Sequence, residues 1–289
     1  MWFLFAISAA LLNATYRLSN QYLKLSGHTL TVLIKCGQIL IFFPFLFFIE
    51  WPENYIFYLI AFLTAPLVLI QDRSFLNFSV TYGAGAITRI EPLSVPIVFI
   101  TWLIIQPTEF LSLLDKPLIF FGILICLFAS IGFSFRMRRC DVSFSALKAM
   151  IPLIIIAASI NIVAKIGIDN APSINGIIAW VFIQSLCLIA LSPFMKRKKD
   201  KNEEQQTLNK QKLILSAIGL SILLNIFIIL RLYGFILTSN PAYVTAVMLT
   251  APFWIMLFYR FVGHKEEADI KSGIGIVISA ITLSLLVSL

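Results

Sequence analysis

Ten apolar runs, separated by short polar connections, constrain the fold of this chain more than any other feature. A helix needs roughly 20 apolar residues to cross the hydrocarbon core of a bilayer, and each run is about that long. The sequence therefore predicts an all-α polytopic membrane protein with about ten transmembrane helices. Their expected positions are about 2–22, 29–49, 54–77, 82–105, 117–135, 144–167, 174–195, 212–237, 241–262 and 270–288.

Composition supports a membrane protein and excludes other classes. The 289 residues are 60% hydrophobic and only 12% charged, whereas charged residues make up about 25% of a typical soluble domain. The net charge of +8 does not indicate nucleic-acid binding, because much of it lies in segments 136–139 and 196–212, as in cytoplasmic loops of membrane proteins. The four cysteines show no CxxC spacing, so we expect no metal, disulfide framework or cofactor.

Several landmarks recur in the same order in the two halves of the chain. Asn13 is followed four residues later by Arg17, and Asn161 is followed four residues later by Lys165. Three further pairs are offset by 149 to 158 positions: Lys35 with Gln184, Arg73 with Arg231, and Pro96 with Pro252.

These landmarks predict two five-helix repeats, residues 1–139 and 140–289. Because five is an odd number, the second repeat inserts upside down relative to the first. Inverted repeats of this kind place a substrate site near the midplane between the halves, and rocking of the halves gives alternating access.

The fourth run, 82–105, carries two charged residues at membrane depth. A charge in hydrocarbon costs roughly 2.5–3.5 kcal/mol on insertion scales, so it requires a partner or a water-filled cavity. Arg89 and Glu91 are about 200° apart around a helix and do not face each other. We predict that Glu91 lines a polar pathway, where it carries a proton or balances a cationic group. The alternatives are charges near the headgroups, or an ion pair of Glu91 with Arg89, Arg73 or Arg231 that only holds helices together.

Other polar residues in the apolar runs are further candidates for this pathway. Asp72, Arg73 and Arg231 lie near the far ends of their runs, where they either form gating pairs at the cavity mouths or extend to the headgroups. Lys35 in the second run either joins the pathway or extends to the headgroups in the same way.

Four uncharged polar residues also lie within apolar runs. For Gln184 and Asn225 we predict hydrogen bonds between helices, the common use of amides in membrane bundles. For Asn13 and Asn161 the same use and a place in the cavity wall are both open.

The second half of the chain contains the clearest family resemblance. The stretch 232–247, LYGFILTSNPAYVTAV, continues through 249–252, LTAP, to 263–266, GHKE, and 273–275, GIG. This order resembles the passage from the eighth to the tenth helix in the ten-helix EamA-type branch of the drug/metabolite transporter superfamily. Residues 77–86 give a looser version in the first half.

The resemblance implies a permease of the bacterial inner (plasma) membrane with inverted repeats. It also implies that the first and sixth helices, which carry Asn13 and Asn161, line the path. The chain departs from the family pattern at 89–91, where charges replace small or apolar residues. Its connection 106–117 is longer than the counterpart in the second half, and its loop 196–212 is unusually basic.

We predict a secondary transporter of a small polar or zwitterionic metabolite, such as an amino acid, because charges of both signs match an ammonium and a carboxylate. Proton coupling through Glu91 and facilitated diffusion are both open. The alternative is a flippase of a lipid or lipid-linked sugar on the same fold, with Arg73 and Arg231 for a phosphate headgroup. A multidrug exporter fits less well, since lipophilic cations do not require so many basic groups. An intramembrane enzyme is not expected, because HExxH and GxSxG motifs are absent, and the absence of GxxxxGK[ST] argues against direct drive by ATP.

The expected partners are the metabolite, the lipid bilayer and, for coupled transport, a proton. Gly275 and Ser279 are four residues apart and form a small-residue face suited to close helix packing. This face permits a homodimer, but packing inside the monomer is the preferred interpretation.

Two observations conflict on the orientation of the chain. Lysine and arginine concentrate on the face opposite the termini, in 136–139 and 196–212, and loop charge of this kind lies in the cytoplasm. Members of the resembled family are instead expected to keep both termini in the cytoplasm. We predict from the charges that both termini are extracytoplasmic. Active alkaline phosphatase fused to the C-terminus is the expected result, and a fluorescent protein that folds there in the cytoplasm contradicts it.

Overall fold

The computed structural model describes residues 1–23, 28–81, 91–136, 144–194, 210–262 and 269–289. These residues form twelve α-helices and two 3₁₀-helices, and no strand occurs among them. The all-α prediction is therefore confirmed for the described part of the chain.

The helices follow the predicted apolar runs closely. The first half contains α1 (Trp2–Leu23), α2 (His28–Phe42), α3 (Tyr55–Thr81), α4 (Ser94–Ile105), α5 (Pro107–Leu114) and α6 (Pro117–Arg136). The second half contains α7 (Phe144–Asp169), α8 (Ile174–Leu191), α9 (Lys210–Ile236), α10 (Pro241–Met248), α11 (Ala251–Phe261) and α12 (Ile270–Ser288). The 3₁₀-helices, Phe43–Phe47 and Glu91–Leu93, extend α2 and precede α4.

Eight helical segments in the described ranges are long and apolar enough to cross a membrane, which indicates a multi-pass membrane protein. A ninth segment is added if Glu91–Ile105 and Pro107–Leu114, which are bent by 102°, count as one span. The first predicted span, α1, is not among the eight. It carries Asn13, Arg17 and Asn20, all of which are buried in the bundle rather than exposed to lipid.

The connection between the fourth and fifth predicted spans contains a short helix, α5. Pro107 occupies its first turn, where the missing N–H breaks no helical hydrogen bond. The negative charge of Glu109 in the same turn interacts favourably with the positive end of the helix dipole. The Trp102 indole N–H donates to one carboxylate oxygen of Glu109, and the Ser239 hydroxyl donates to the other, both at 2.9 Å. Glu109 therefore connects α5 to α4 and to the segment between α9 and α10.

Side-chain caps stabilise the first turns of α8 and α10. Ser173 accepts a hydrogen bond from the Gly176 backbone N–H at 3.0 Å at the start of α8. Asn240 accepts one from the Ala242 backbone N–H at 2.9 Å at the start of α10. Caps of this kind contribute about 0.5–2 kcal/mol each, so these two connections have defined geometry.

The small-residue face of α12 is used within the chain. Helices α6 and α12 pack against each other, and a Cβ added at Gly275 would lie 2.9 Å from the ring of Phe133 in α6. The preferred interpretation of this face, packing inside the monomer, is therefore confirmed.

Gly167 in α7 provides a test of the packing between α7 and α8. A Cβ at this position would overlap the ring of Trp180, which is only 2% exposed. Overpacking of this kind costs roughly 1–3 kcal/mol, so we expect Gly167→Ala to lower the thermal unfolding temperature in detergent. Gly219→Ala is the matched control, because a Cβ there meets nothing within 4 Å. Equal unfolding temperatures for the two variants contradict this packing.

Candidate functional site

A cavity of about 90 Å³ lies between α1, α3, α7, α9 and α10. One water molecule requires roughly 10–15 Å³ of such space, so the cavity has room for several waters or a small solute. Its wall is partly apolar, with Phe75, Phe227 and Met248 among the lining residues. The polar and charged lining residues are Asn13, Tyr16, Arg17, Asn20, Gln71, Asp72, Glu91, Asn161, Arg231 and Thr245.

Arg17 makes several contacts in this wall. Its Nη2 donates to the Glu91 carboxylate at 2.7 Å, and its Nε donates to the Asn13 side-chain oxygen at 2.9 Å. The guanidinium also lies over the Phe75 ring, 5.0 Å from its centroid. Arg17 is only 6% exposed, and its buried Nη1 has no hydrogen-bond partner among the described residues. Arg17 therefore holds Glu91 in place at the cavity wall.

Arg231 forms the corresponding polar contact in the second half of the chain. Its Nη2 donates to the side-chain oxygen of Asn161, and the guanidinium lies 5.3 Å from the centroid of the Phe235 ring. Among the described residues, no carboxylate lies within ion-pair distance of Arg231. Arg231 is thus held by an amide and an aromatic ring, neither of which neutralises its charge.

A second ion pair borders the cavity. Lys35 Nζ of α2 lies 2.8 Å from the carboxylate of Asp72 in α3. The Lys35 side chain is 3% exposed and that of Asp72 is 23% exposed. The buried amine therefore does not line the cavity itself but pairs with a carboxylate that does.

The structure brings most of the predicted site residues to one place. The cavity wall contains five of them: Asn13, Asp72, Glu91, Asn161 and Arg231. Lys35 contacts the wall through Asp72, and the half-buried Arg73 is not among the lining residues. Arg89 lies outside the described residues.

The partner of Glu91 differs from those considered in the sequence. Glu91 pairs with Arg17 at 2.7 Å, and Arg89, one of the partners considered, lies outside the described residues. The sequence offered a signal for Arg17, namely its four-residue spacing from Asn13, but that spacing does not reveal which residue of another helix Arg17 faces. The physical reason for the pairing is that the long Arg17 side chain of α1 reaches the 3₁₀-helix Glu91–Leu93, where Glu91 supplies the charge that the buried guanidinium requires.

Lys165, which the landmark pattern relates to Arg17, has a different environment. Its Nζ donates to the Asp169 carboxylate at 2.7 Å and to the backbone carbonyl of Phe235 at 2.8 Å. It is not among the cavity-lining residues and instead ties the end of α7 to the end of α9. The two basic residues that the landmark pattern relates therefore have different contacts.

The predicted hydrogen bonds between helices are confirmed for two amides. Gln184 of α8 donates to the Thr64 hydroxyl of α3 at 3.0 Å. Asn225 of α9 accepts a hydrogen bond from Gln38 of α2 at 2.7 Å. These contacts hold the helices together outside the cavity wall.

Within the described ranges, no group of three or more His, Cys, Asp and Glu side chains could hold a metal ion. Searches of protein-family models and of curated proteins find no match to the chain. The resemblance to the drug/metabolite transporter superfamily therefore stays a prediction.

Proposed function

We propose that this protein is a secondary transporter of a small polar or zwitterionic metabolite, such as an amino acid. In this proposal it is a permease of the drug/metabolite transporter type, with ten spans in two inverted repeats, in a bacterial inner membrane. α1 and the α4–α5 segment supply the two spans beyond the eight. The observation that carries the proposal is a cavity between the helices of the bundle, lined by Arg17, Arg231, Asp72 and Glu91.

Both proposed repeats contribute to this cavity. Asn13 accepts a hydrogen bond from Arg17 in the first, and Asn161 accepts one from Arg231 in the second. A cavity built from both halves supports alternating access, because movement of one half against the other changes the side to which the cavity opens.

Glu91 gives the proposed transporter a route for proton coupling. Protonation of Glu91 would remove the negative charge that Arg17 pairs with, and so change the electrostatic balance of the wall. Coupled transport and facilitated diffusion differ in one measurement, the effect of a pH gradient on accumulation.

The test is uptake and efflux of a labelled metabolite panel by the purified protein in proteoliposomes, with and without a pH gradient. The panel contains amino acids, organic acids, polyamines, polyols and nucleosides, and empty liposomes are the control. Saturable transport of at least one solute is expected. Movement of headgroup-labelled lipid between leaflets without solute transport would indicate a flippase instead.

A further inference from the structure

The charges around the cavity do not balance among the described residues. Two carboxylates, Asp72 and Glu91, each have one close basic partner, Lys35 and Arg17. Arg231 is the third cation, and its contacts are the amide of Asn161 and the ring of Phe235. With Lys35 included, which contacts the wall through Asp72, these three cations and two anions leave one positive charge around the cavity.

We propose that Arg231, which lines the cavity, binds a carboxylate of the cargo. This inference rests on the transporter function proposed above and narrows its substrate class to compounds that carry a carboxylate. Arg231 is half-buried. A charge that is partly removed from water is stabilised by a partner of opposite sign, and the carboxylate of a cargo would supply that negative charge.

The type of cation favours this ligand. A guanidinium presents its N–H groups in a planar fork that matches the two oxygens of a carboxylate. A second guanidinium, that of Arg17, lines the same cavity.

The carboxylates on the same wall restrict the charge of the cargo. Asp72 and Glu91 repel additional negative charge. A phosphate dianion carries two negative charges, and the single excess positive charge around the cavity balances only one of them. An ammonium group, in contrast, is attracted by these two side chains, which remain 23% and 22% exposed. A monocarboxylate or a zwitterion therefore fits better than a cation or a phosphate ester.

The test pairs acids with their amides in the same proteoliposomes. Each amino acid and organic acid of the panel competes against labelled solute beside its amide, for example alanine against alaninamide and propionate against propionamide. Glycerol 3-phosphate provides a phosphate arm. Acids are expected to compete at least about tenfold better than their amides, since a lost contact to a buried charge has an effect of this size or larger.

Arg231 variants connect this selectivity to the residue. Arg231→Gln is expected to weaken competition by the acid at least about tenfold and to remove the preference over the amide. Arg231→Lys, which keeps the charge and loses the fork, is expected to be intermediate. Arg260→Gln is the matched control, because Arg260 is exposed at the end of α11 and outside the cavity.

The outcomes separate this inference from the function on which it rests. Three results overturn the carboxylate site alone. They are equal competition by acids and amides, stronger competition by glycerol 3-phosphate than by the acids, and unchanged selectivity in a folded Arg231→Gln variant. Transport of cations or polyols in preference to acids does the same. Absence of uptake of every solute in the panel counts against the transporter itself.

Discussion

Replacing Glu91 by Gln is expected to lower transport about tenfold or more, with expression retained. Glu91 accepts a hydrogen bond from Arg17 at 2.7 Å and lines the cavity. A Gln side chain can still accept that bond, but hydrogen bonds to a charged acceptor are about twice as strong as neutral ones. The variant also adds a net positive charge to a buried wall, which changes the electrostatics of the site in every conformation.

The measurement is the initial rate of uptake at equal protein content in proteoliposomes. Glu53→Gln is the control, since Glu53 is an exposed carboxylate in the connection before α3. If protons are carried by Glu91, the variant also loses the effect of a pH gradient on accumulation. An initial uptake rate equal to that of the wild type in Glu91→Gln contradicts the proposal that this carboxylate takes part in transport.

Replacing Arg17 by Gln is expected to lower the free energy of unfolding more than the other substitutions proposed for this protein. Arg17 is 6% exposed, and its removal leaves the Glu91 carboxylate without its partner. Breaking one side of a buried ion pair costs roughly 3–5 kcal/mol. Because the Glu91 side chain keeps 22% exposure to solvent, we expect a loss near the lower end of that range.

A double variant separates the ion pair from the other contacts of Arg17. In Arg17→Gln with Glu91→Gln, no charge is left without a partner, so part of the lost stability should return. The unfolding free energy in mild detergent, measured for both single variants and the double variant, gives a coupling energy that is typically 0.5–3 kcal/mol for residues in contact. Strict additivity of the two single effects is incompatible with the ion pair described, and Arg260→Gln controls for loss of a surface arginine.

The sequence predicted the helices well because hydropathy alone determines which segments can lie in lipid. All ten apolar runs contain helices in their described parts, including α10 and α11 in the run 241–262. The bend of 102° before α5 was not predicted, because Gln106 and Pro107 mark a break without fixing its angle.

The site was only partly predictable for a related reason. A charged residue in an apolar run indicates a polar environment, and this argument led to Glu91. The identity of its partner depends on which helices are neighbours, and the spacing of Asn13 and Arg17 along one helix contains no such information. The different contacts of Arg17 and Lys165 show the same limit, since equivalent sequence positions reach different surroundings.

The two arginine contacts also bear on how the chain is synthesised. Arg17 and Glu91 are separated by 74 residues, and Asn161 and Arg231 by 70. Arg17 therefore leaves the ribosome well before Glu91 is synthesised. The charge of α1, which is not among the eight apolar segments, is neutralised only after Glu91 has been added to the chain. Both contacts close within a single half of the chain, so each half can satisfy its own arginine during membrane insertion, before the other half is complete.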